Sequence, residues 1–558
     1  MLRVAAALAL IFGSASSAAA PHQARFDWFD YRGHDGLPKP GADQYANPIL
    51  QGFYPDPSVV RVGRDYYLVN STFAWFPGIP VWHSRDLVSW TQIGNAIDRP
   101  GQLKLDGLGM GQGVFAPDIS WHDGTFYLLN TCIGCGGNYL LTAKNAAGPW
   151  SDPVFLPDVD GIDTSLFFDT DGSAWIVHNG PPPGKPEYEG QTAIWLQRLD
   201  LKTMKTGPKQ LLVNKGTHPE RKPIWIEAPH IIRKDGSYYL IAAEGGTAEQ
   251  HSEVVFRSDR VTGPYVAFAG NPILTQRDLP ENRPNSITST GHASFVDTPA
   301  GDWWAVFLGV RPYDAQQNFN TGRETFLAPV TWRDGWPRML DAGQRLPWVA
   351  KRPDLPKDPK PRLPTNGDFT IREDFTSNRL PIDWMMISEP HQQWWHIGGG
   401  ALSIEARPSA LGAGDNPSLV ARRQQHLNFV ATTKVAFAPQ SNAAEAGLVA
   451  MQNPEWWYGV LIGRDKGRRV IRLRRHAGSP DPIAGTILAS APLPRNGPIE
   501  LRVAGHGAAY DFSWSADGWH WHVLASDADG TVLSTKRAGG FVGAVVGVYA
   551  HDGAVPKP

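Results

Sequence analysis

A chain of 558 residues is too long for one hydrophobic core, so two or more domains are expected. Its 42% hydrophobic and 19% charged content is that of a globular protein, and a formal net charge of −2 gives no electrostatic reason to expect nucleic acid or a membrane surface as partner. The unusual figures are 22 Trp, 58 Gly and 48 Pro, which describe many short strands, many turns and many flat rings that either fill a β core or stack on sugar faces.

Residues 1–20, "MLRVAAALALIFGSASSAAA", combine Arg3, an apolar run from Val4 to Phe12 and a stretch of small residues. This reads as a secretory signal peptide, cleaved around Ala18 to Ala20 and too short to anchor in a bilayer. No later segment reaches membrane-spanning length. The expectation is export, to a periplasmic or extracellular destination. The two cysteines, Cys132 and Cys135, lack the further ligands that a structural zinc site needs. In an oxidising compartment a local loop disulfide is favoured over a redox centre.

A turn followed by an aromatic-apolar strand then recurs five times. The copies are "GRDYYLVNS" (63–71), "DGTFYLLNT" (123–131), "DGSAWIVHN" (171–179), "DGSYYLIAA" (235–243) and "GDWWAVFLG" (301–309). Each reads as a hairpin, anchored on Tyr67, Tyr127, Trp175, Tyr239 or Trp304. Five such units at 48 to 65 residue spacing predict an all-β fold, a five-bladed β-propeller, over residues 45–345. An ordinary β-sandwich would place turn signals every 8–12 residues without this longer period.

One strand before each anchor lies an ionisable residue: Asp56, Asp118, Asp163, Glu227 and His292. The first strand of a propeller blade lines the central channel, so the repeat predicts a ring of these groups at one mouth. Proline next to Asp56 and Asp118, and two residues after Glu227, stiffens three of the positions. A lone "PDP" is more often a tight turn than a site; four acids on one ring repel each other and call for a functional reason. Carboxylates held apart across a groove suit glycoside hydrolysis, one as acid and another as base or nucleophile. Metal binding is the alternative use, but no dense calcium loop is present, and neither a nucleotide-binding glycine fingerprint nor a G-x-S-x-G elbow occurs.

The segments "NPILQGFYPDPSVVRVGRDYYLVNSTFAWFPGIPVWHSRDLVSW", "GVFAPDISWHDGTFYL", "GIDTSLFFD", "IEAPHI", "AEGGT" and "NTGRETFLAPVTWRDGWP" together resemble glycoside hydrolase family 43, nearest its β-xylosidase and α-L-arabinofuranosidase type. The resemblance implies a five-bladed propeller and an inverting glycosidase. It makes Asp56 the general base, Glu227 the general acid, and Asp163 the carboxylate that raises the acid's pKa and orients it. Base and acid then stand roughly 6.5–9.5 Å apart, so that a water fits between base and sugar. His292 matches a channel histidine that approaches the sugar or a central ion, and Arg323 an arginine that hydrogen-bonds the sugar. Phe73 and Phe115 fall where the family lines its pocket, and Thr247 on a pocket loop. The resemblance implies no cofactor for the chemistry, with calcium as a structural or channel ion near His292.

Departures from the family pattern are Thr164 for proline after Asp163, Ala228 for glycine after Glu227, and Phe115 for a frequent tryptophan. Asp118 is not normally catalytic in the family and reads as an acid satisfied by backbone amides.

From 346 to 370 the composition turns to Pro, Lys and Arg, a linker of extended character. Residues 371–558 then alternate apolar and polar in short runs and resemble the concanavalin A-like jelly roll that closes the pocket in family 43 β-xylosidases. Trp394, Trp395, Trp456 and Trp457 read as core or interface before sugar platforms. The expected activity is release of terminal β-1,4-linked xylose from xylo-oligosaccharides, or of α-L-arabinofuranose from arabinose-containing glycans. The alternatives are an arabinan-cleaving endo-enzyme and a sugar-binding propeller without catalysis.

Overall fold

The computed structural model describes residues 22–553. It is a five-bladed β-propeller joined to a two-sheet β-sandwich. Each blade is a meander of antiparallel strands, and the innermost strands are Ser58–Val62, Asp118–His122, Ile162–Phe168, Glu227–Lys234 and Thr288–Asp297. The five anchor aromatics all lie on the second strand of their blade. Asp123-Gly124 and Asp235-Gly236 take positive φ at both positions, the tight hairpin turn that their sequence predicts.

The ring closes without a shared blade. Residues 49–54 cross from blade 1 to the blade 5 strand Glu324–Arg333: Ile49 N–H donates to Thr325 O at 2.9 Å and Tyr54 N–H to Arg323 O at 3.1 Å. This seam brings the segment before Asp56 beside Arg323.

The sandwich has an eight-stranded and a six-stranded sheet. The eight-stranded sheet contains an element from the other end of the chain. Gln23–Gly33 runs between Asn428–Ala436 on one side and Leu402–Glu405 and Phe369–Glu373 on the other. The sequence reading begins its propeller at 45 and leaves these residues unassigned, because one isolated strand carries no repeat to identify it. Trp394 and Trp457 are buried in two different clusters, and Trp395 and Trp456 both pack against the one that holds Trp394. Cys132 and Cys135 form a disulfide. Residues 1–20 lie outside the described residues, and no helix among those described is long and apolar enough to cross a membrane.

Propeller and sandwich share extensive polar and apolar contact. Arg311, almost wholly buried, holds Glu324 through Nε and Nη2 and Asp35 through Nη1 at 2.7 Å. Glu324 in turn accepts from Gly52 N–H at 2.8 Å. Trp75–Phe76 of blade 1 pairs with Met386–Ile387, and Arg423 donates to Phe53 O at 2.7 Å. The 346–370 segment is pinned along blade 1, where Val349–Lys351 pairs with Gln44–Ala46 and Arg352 meets buried Asp86 at 2.6 Å.

Candidate active site

The acidic side chains reach the channel mouth through backbone irregularities. In a regular strand, side chains alternate faces; a bulge adds a residue and re-aims its neighbours. The innermost strands of blades 3, 4 and 5 shift register between Ile162 and Ser165, between Glu227 and His230, and between Gly291 and Ser294. At each shift one non-glycine residue is left-handed: Asp163 (φ 54°), Ala228 (φ 52°) and His292 (φ 56°). Asp56 (φ 51°) takes the same conformation just ahead of its strand. Such residues cost about 1–3 kcal/mol each and persist where surrounding structure fixes them. Ala228 stands where glycine would fit without strain.

Asp56 is nearly fully buried. Arg323 grips it with Nη1 on Oδ1 at 2.8 Å and Nη2 on Oδ2 at 3.3 Å, and Ser71 Oγ donates to Oδ2 at 2.6 Å. His292 Nδ1 lies 3.6 Å from Oδ1. Asp163 accepts the strained Ala228 N–H at 3.2 Å, which ties blade 3 to the residue after Glu227. Burial, and then the charge of Asp56, pushes the Asp163 carboxyl up to about 7. Glu227 is held well above the ordinary carboxylate range by burial first, then by the charges of Asp163 and Asp56, with Arg323 opposing. Burial pushes the His292 imidazole down to about 3, against the pull of Asp56, so the ring is neutral.

One wall of the pocket is aromatic. Phe73, Phe115 and Phe541 form a three-ring cluster with centroids 5.5, 5.7 and 5.8 Å apart. Arg323 lies over Phe73 at 5.8 Å and Phe541 at 5.3 Å. Phe541 comes from the sandwich. It is brought there by a backbone contact between two glycines: a Cβ on Gly543 would sit 2.8 Å from Gly322 N, and one on Gly322 (φ 74°) would sit 2.9 Å from Gly543 Cα. Gly322 precedes Arg323, so one contact sets both the arginine and the ring. The pocket is small, about 60 Å³.

Asp56, Asp163, Glu227, Phe73, Phe115, Thr247, His292 and Arg323 all line this one pocket. His292 gathers no ligand set: among the described residues, no three His, Cys, Asp or Glu side chains are placed to hold a metal ion. Two residues of the site carry no mark in the sequence analysis, Phe541 on the pocket wall and Ser71 behind Asp56. Phe541 was missed, because its only sequence signal is a phenylalanine between glycines nearly 220 residues after Arg323; Ser71, two residues before Phe73, was missed as the partner of Asp56.

Asp118 is not on the ring. It pairs with Leu129, two residues past the anchor Tyr127, and the same register holds Ser58, Ser165, His230 and Ser294 in the other blades. These five form a lower polar tier that stitches the blades. Ile119 N–H donates to Ser58 Oγ at 3.1 Å, Leu166 N–H to Asp118 Oδ2 at 2.9 Å and Val59 N–H to Ser294 Oγ at 3.1 Å. Asp118 also accepts from Ser58 Oγ at 2.9 Å and Ser120 Oγ at 3.0 Å. Its shorter spacing from the anchor, nine residues against eleven or twelve, was the sign that it sits a step lower.

Residues 45–337 match the family Glycosyl hydrolases family 43, and residues 372–557 match the Beta xylosidase C-terminal Concanavalin A-like domain. The chain is 35% identical to a xylosidase/arabinosidase of Butyrivibrio fibrisolvens, covering 91% of this chain and 95% of that protein. It is also 35% identical to a non-reducing end alpha-L-arabinofuranosidase of Bacteroides ovatus, covering 91% of each. Among solved structures, a GH43_12 protein retrieved from capybara gut metagenome superposes with a TM-score of 0.86 at 37% identity, covering 95% of this chain and 99% of that one.

Proposed function

The chain belongs to glycosyl hydrolases family 43, and from that premise we propose that it removes terminal β-1,4-linked xylose from xylo-oligosaccharides. It is an inverting glycoside hydrolase whose chemistry needs no cofactor. In the proposed mechanism Asp56, oriented by Arg323 and Ser71, takes a proton from a water as that water attacks the anomeric carbon. Glu227 gives its proton to the glycosidic oxygen as the carbon–oxygen bond breaks. Asp163 keeps that proton on Glu227 and, through Ala228 N–H, fixes the strand that carries it. Neutral His292 and the guanidinium of Arg323 face the sugar hydroxyls.

The observation that carries this reading is the contrast between two buried acids in one pocket. One is bound by a guanidinium, and the other is kept protonated by burial and by neighbouring negative charge. A small pocket partly walled by Phe541, which the second domain supplies, is the support for a terminal sugar over an internal one. The second reading, release of α-L-arabinofuranose, is favoured by the Bacteroides ovatus relative. Residues 1–20 support export, which N-terminal sequencing of the secreted protein tests.

The deciding experiment compares 4-nitrophenyl β-D-xylopyranoside and α-L-arabinofuranoside with wild type and Glu227→Gln. We expect the xyloside to be preferred and the variant to lose about 10²–10⁴-fold in kcat. A preference for the arabinofuranoside would replace the substrate, equal rates from both proteins would sink the assignment of Glu227, and silence on both substrates would leave a non-catalytic sugar binder.

A further inference from the structure

At the end of the sandwich opposite its propeller contact, three segments converge on a groove of about 750 Å³. They are the end of the strand Asn428–Ala436 with its following turn, the hairpin tip from Arg464 to Arg469, and the turn from Pro492 to Pro498. The floor is apolar, with Phe437, Leu493 and the rings of Pro439 and Pro492. The rim carries four guanidiniums: Arg464, Arg468, Arg469 and Arg495.

The charge on this rim is unbalanced. Nearby Arg472 and Arg474 share Glu445, and Arg475 meets Asp481, but none of the four rim arginines forms an ion pair among the described residues. Asp465, in the same hairpin, is exposed and pairs with none of them. Arg464 and Arg469 are half-buried, and Arg468 and Arg495 are exposed. Arg469 is the one tied to the groove's backbone. Its Nη1 donates to Gly497 O at 2.7 Å, while its Nε is buried without a partner. Burial with no acid to oppose it pushes that guanidinium down to about 10. Four like charges around one concavity repel each other, and an anion in the groove removes the penalty.

The shape narrows the class of anion. Planar guanidinium forks match a carboxylate bidentately. An apolar floor suits the C–H faces of a sugar ring, and the volume lies in the roughly 300–1,000 Å³ range of organic-ligand sites. We propose that this groove binds an acidic oligosaccharide through its uronic acid carboxylates, at a site separate from the catalytic pocket. The saccharide part of the proposal rests on the glycosidase reading above. Such a site would hold the enzyme on acid-substituted glycan while the pocket works on free chain ends.

The test uses the full chain carrying Glu227→Gln, which stops turnover, titrated by calorimetry with three probes. These are a xylo-oligosaccharide bearing a glucuronic acid side group, the same oligosaccharide without it, and inorganic phosphate. We expect the uronate-bearing probe to bind more tightly than either other probe, and more weakly as salt is raised. Adding Arg468→Ala and Arg495→Ala, both exposed positions, is expected to weaken it about tenfold or more. Arg468→Lys with Arg495→Lys keeps the charge but not the fork, and is expected to lose part of the affinity without affecting the fold. No binding of the uronate-bearing probe beyond what the neutral oligosaccharide shows at the catalytic pocket, no effect of either double substitution, or phosphate binding as tightly as the uronate would each overturn the proposal. Nitrophenyl glycoside hydrolysis by the arginine variants in the otherwise wild-type chain is read separately and is expected to be unchanged, so failure of the glycosidase reading and failure of the groove are distinct results.

Discussion

The two tiers of the propeller channel place buried carboxylates within a few residues of the same strand position and use them in opposite ways. In the lower tier Asp118 accepts from Ser58, Ser120 and the Leu166 amide, and so holds three blades together. In the upper tier Asp163 accepts one amide, from a residue in a strained conformation, and sits beside two further acids. A buried acid with its lone pairs satisfied is structural. One left short of donors, beside like charge, stores the raised proton affinity that acid catalysis needs.

Asp163→Asn should give the largest effect on this contrast. Removing its charge lowers the proton affinity of Glu227, so the alkaline limb of kcat/KM is expected to move to lower pH. The rate above neutral pH should fall by about 10–100-fold. Stability should respond with the opposite benefit. The carboxyl is raised from 3.8 to about 7, so its contribution is fully present below about 3.8 and is lost as pH rises through about 7. Wild type should therefore lose stability relative to Asp163→Asn across that window, as denaturant titrations at several pH values would measure. An unmoved pH profile would make Asp163 no different in kind from Asp118.

Asp118→Asn should act on stability instead. The amide group forces a donor against Ser120 and Leu166 or against Ser58, at a cost of about 1–3 kcal/mol in chemical unfolding. The pH profile of kcat/KM is expected to keep its shape, and a shifted alkaline limb would abolish the distinction between tiers.

Gly543→Ala should have the smallest effect, a several-fold rise in KM with kcat less changed. Its new Cβ would meet Gly322 N and the Thr321 carbonyl within about 3 Å, which pushes Phe541 away from Arg323. Kinetics on the preferred nitrophenyl glycoside check this, and an unchanged KM would show that the roof contributes nothing to sugar binding.

Much of this protein was legible in one dimension. The five hairpins announce themselves because each pairs residues adjacent in the chain, and turn chemistry and period-2 alternation are local properties. Recurrence at a fixed distance from each anchor then brought Asp56, Asp163, Glu227 and His292 together without any long-range contact being known. That logic failed at Asp118, which sits two residues further along its strand than the pocket position of its blade, held by Ala116, and at the register of Ser58 instead. The bulges in three other strands each add one residue and blur the count from the anchor, and a bulge is visible only in the paired register.

Contacts between distant segments were decided by the tertiary structure alone. Gln23–Gly33 completes a sheet whose other strands begin more than 300 residues later, and nothing local marks it as theirs. Phe541 becomes part of the pocket only because two glycines allow the backbones of separate domains to touch. Sequence carries the period and the chemistry of the groups; the proton affinities depend on burial and on which charges become neighbours, and both exist only once the chain has closed its ring.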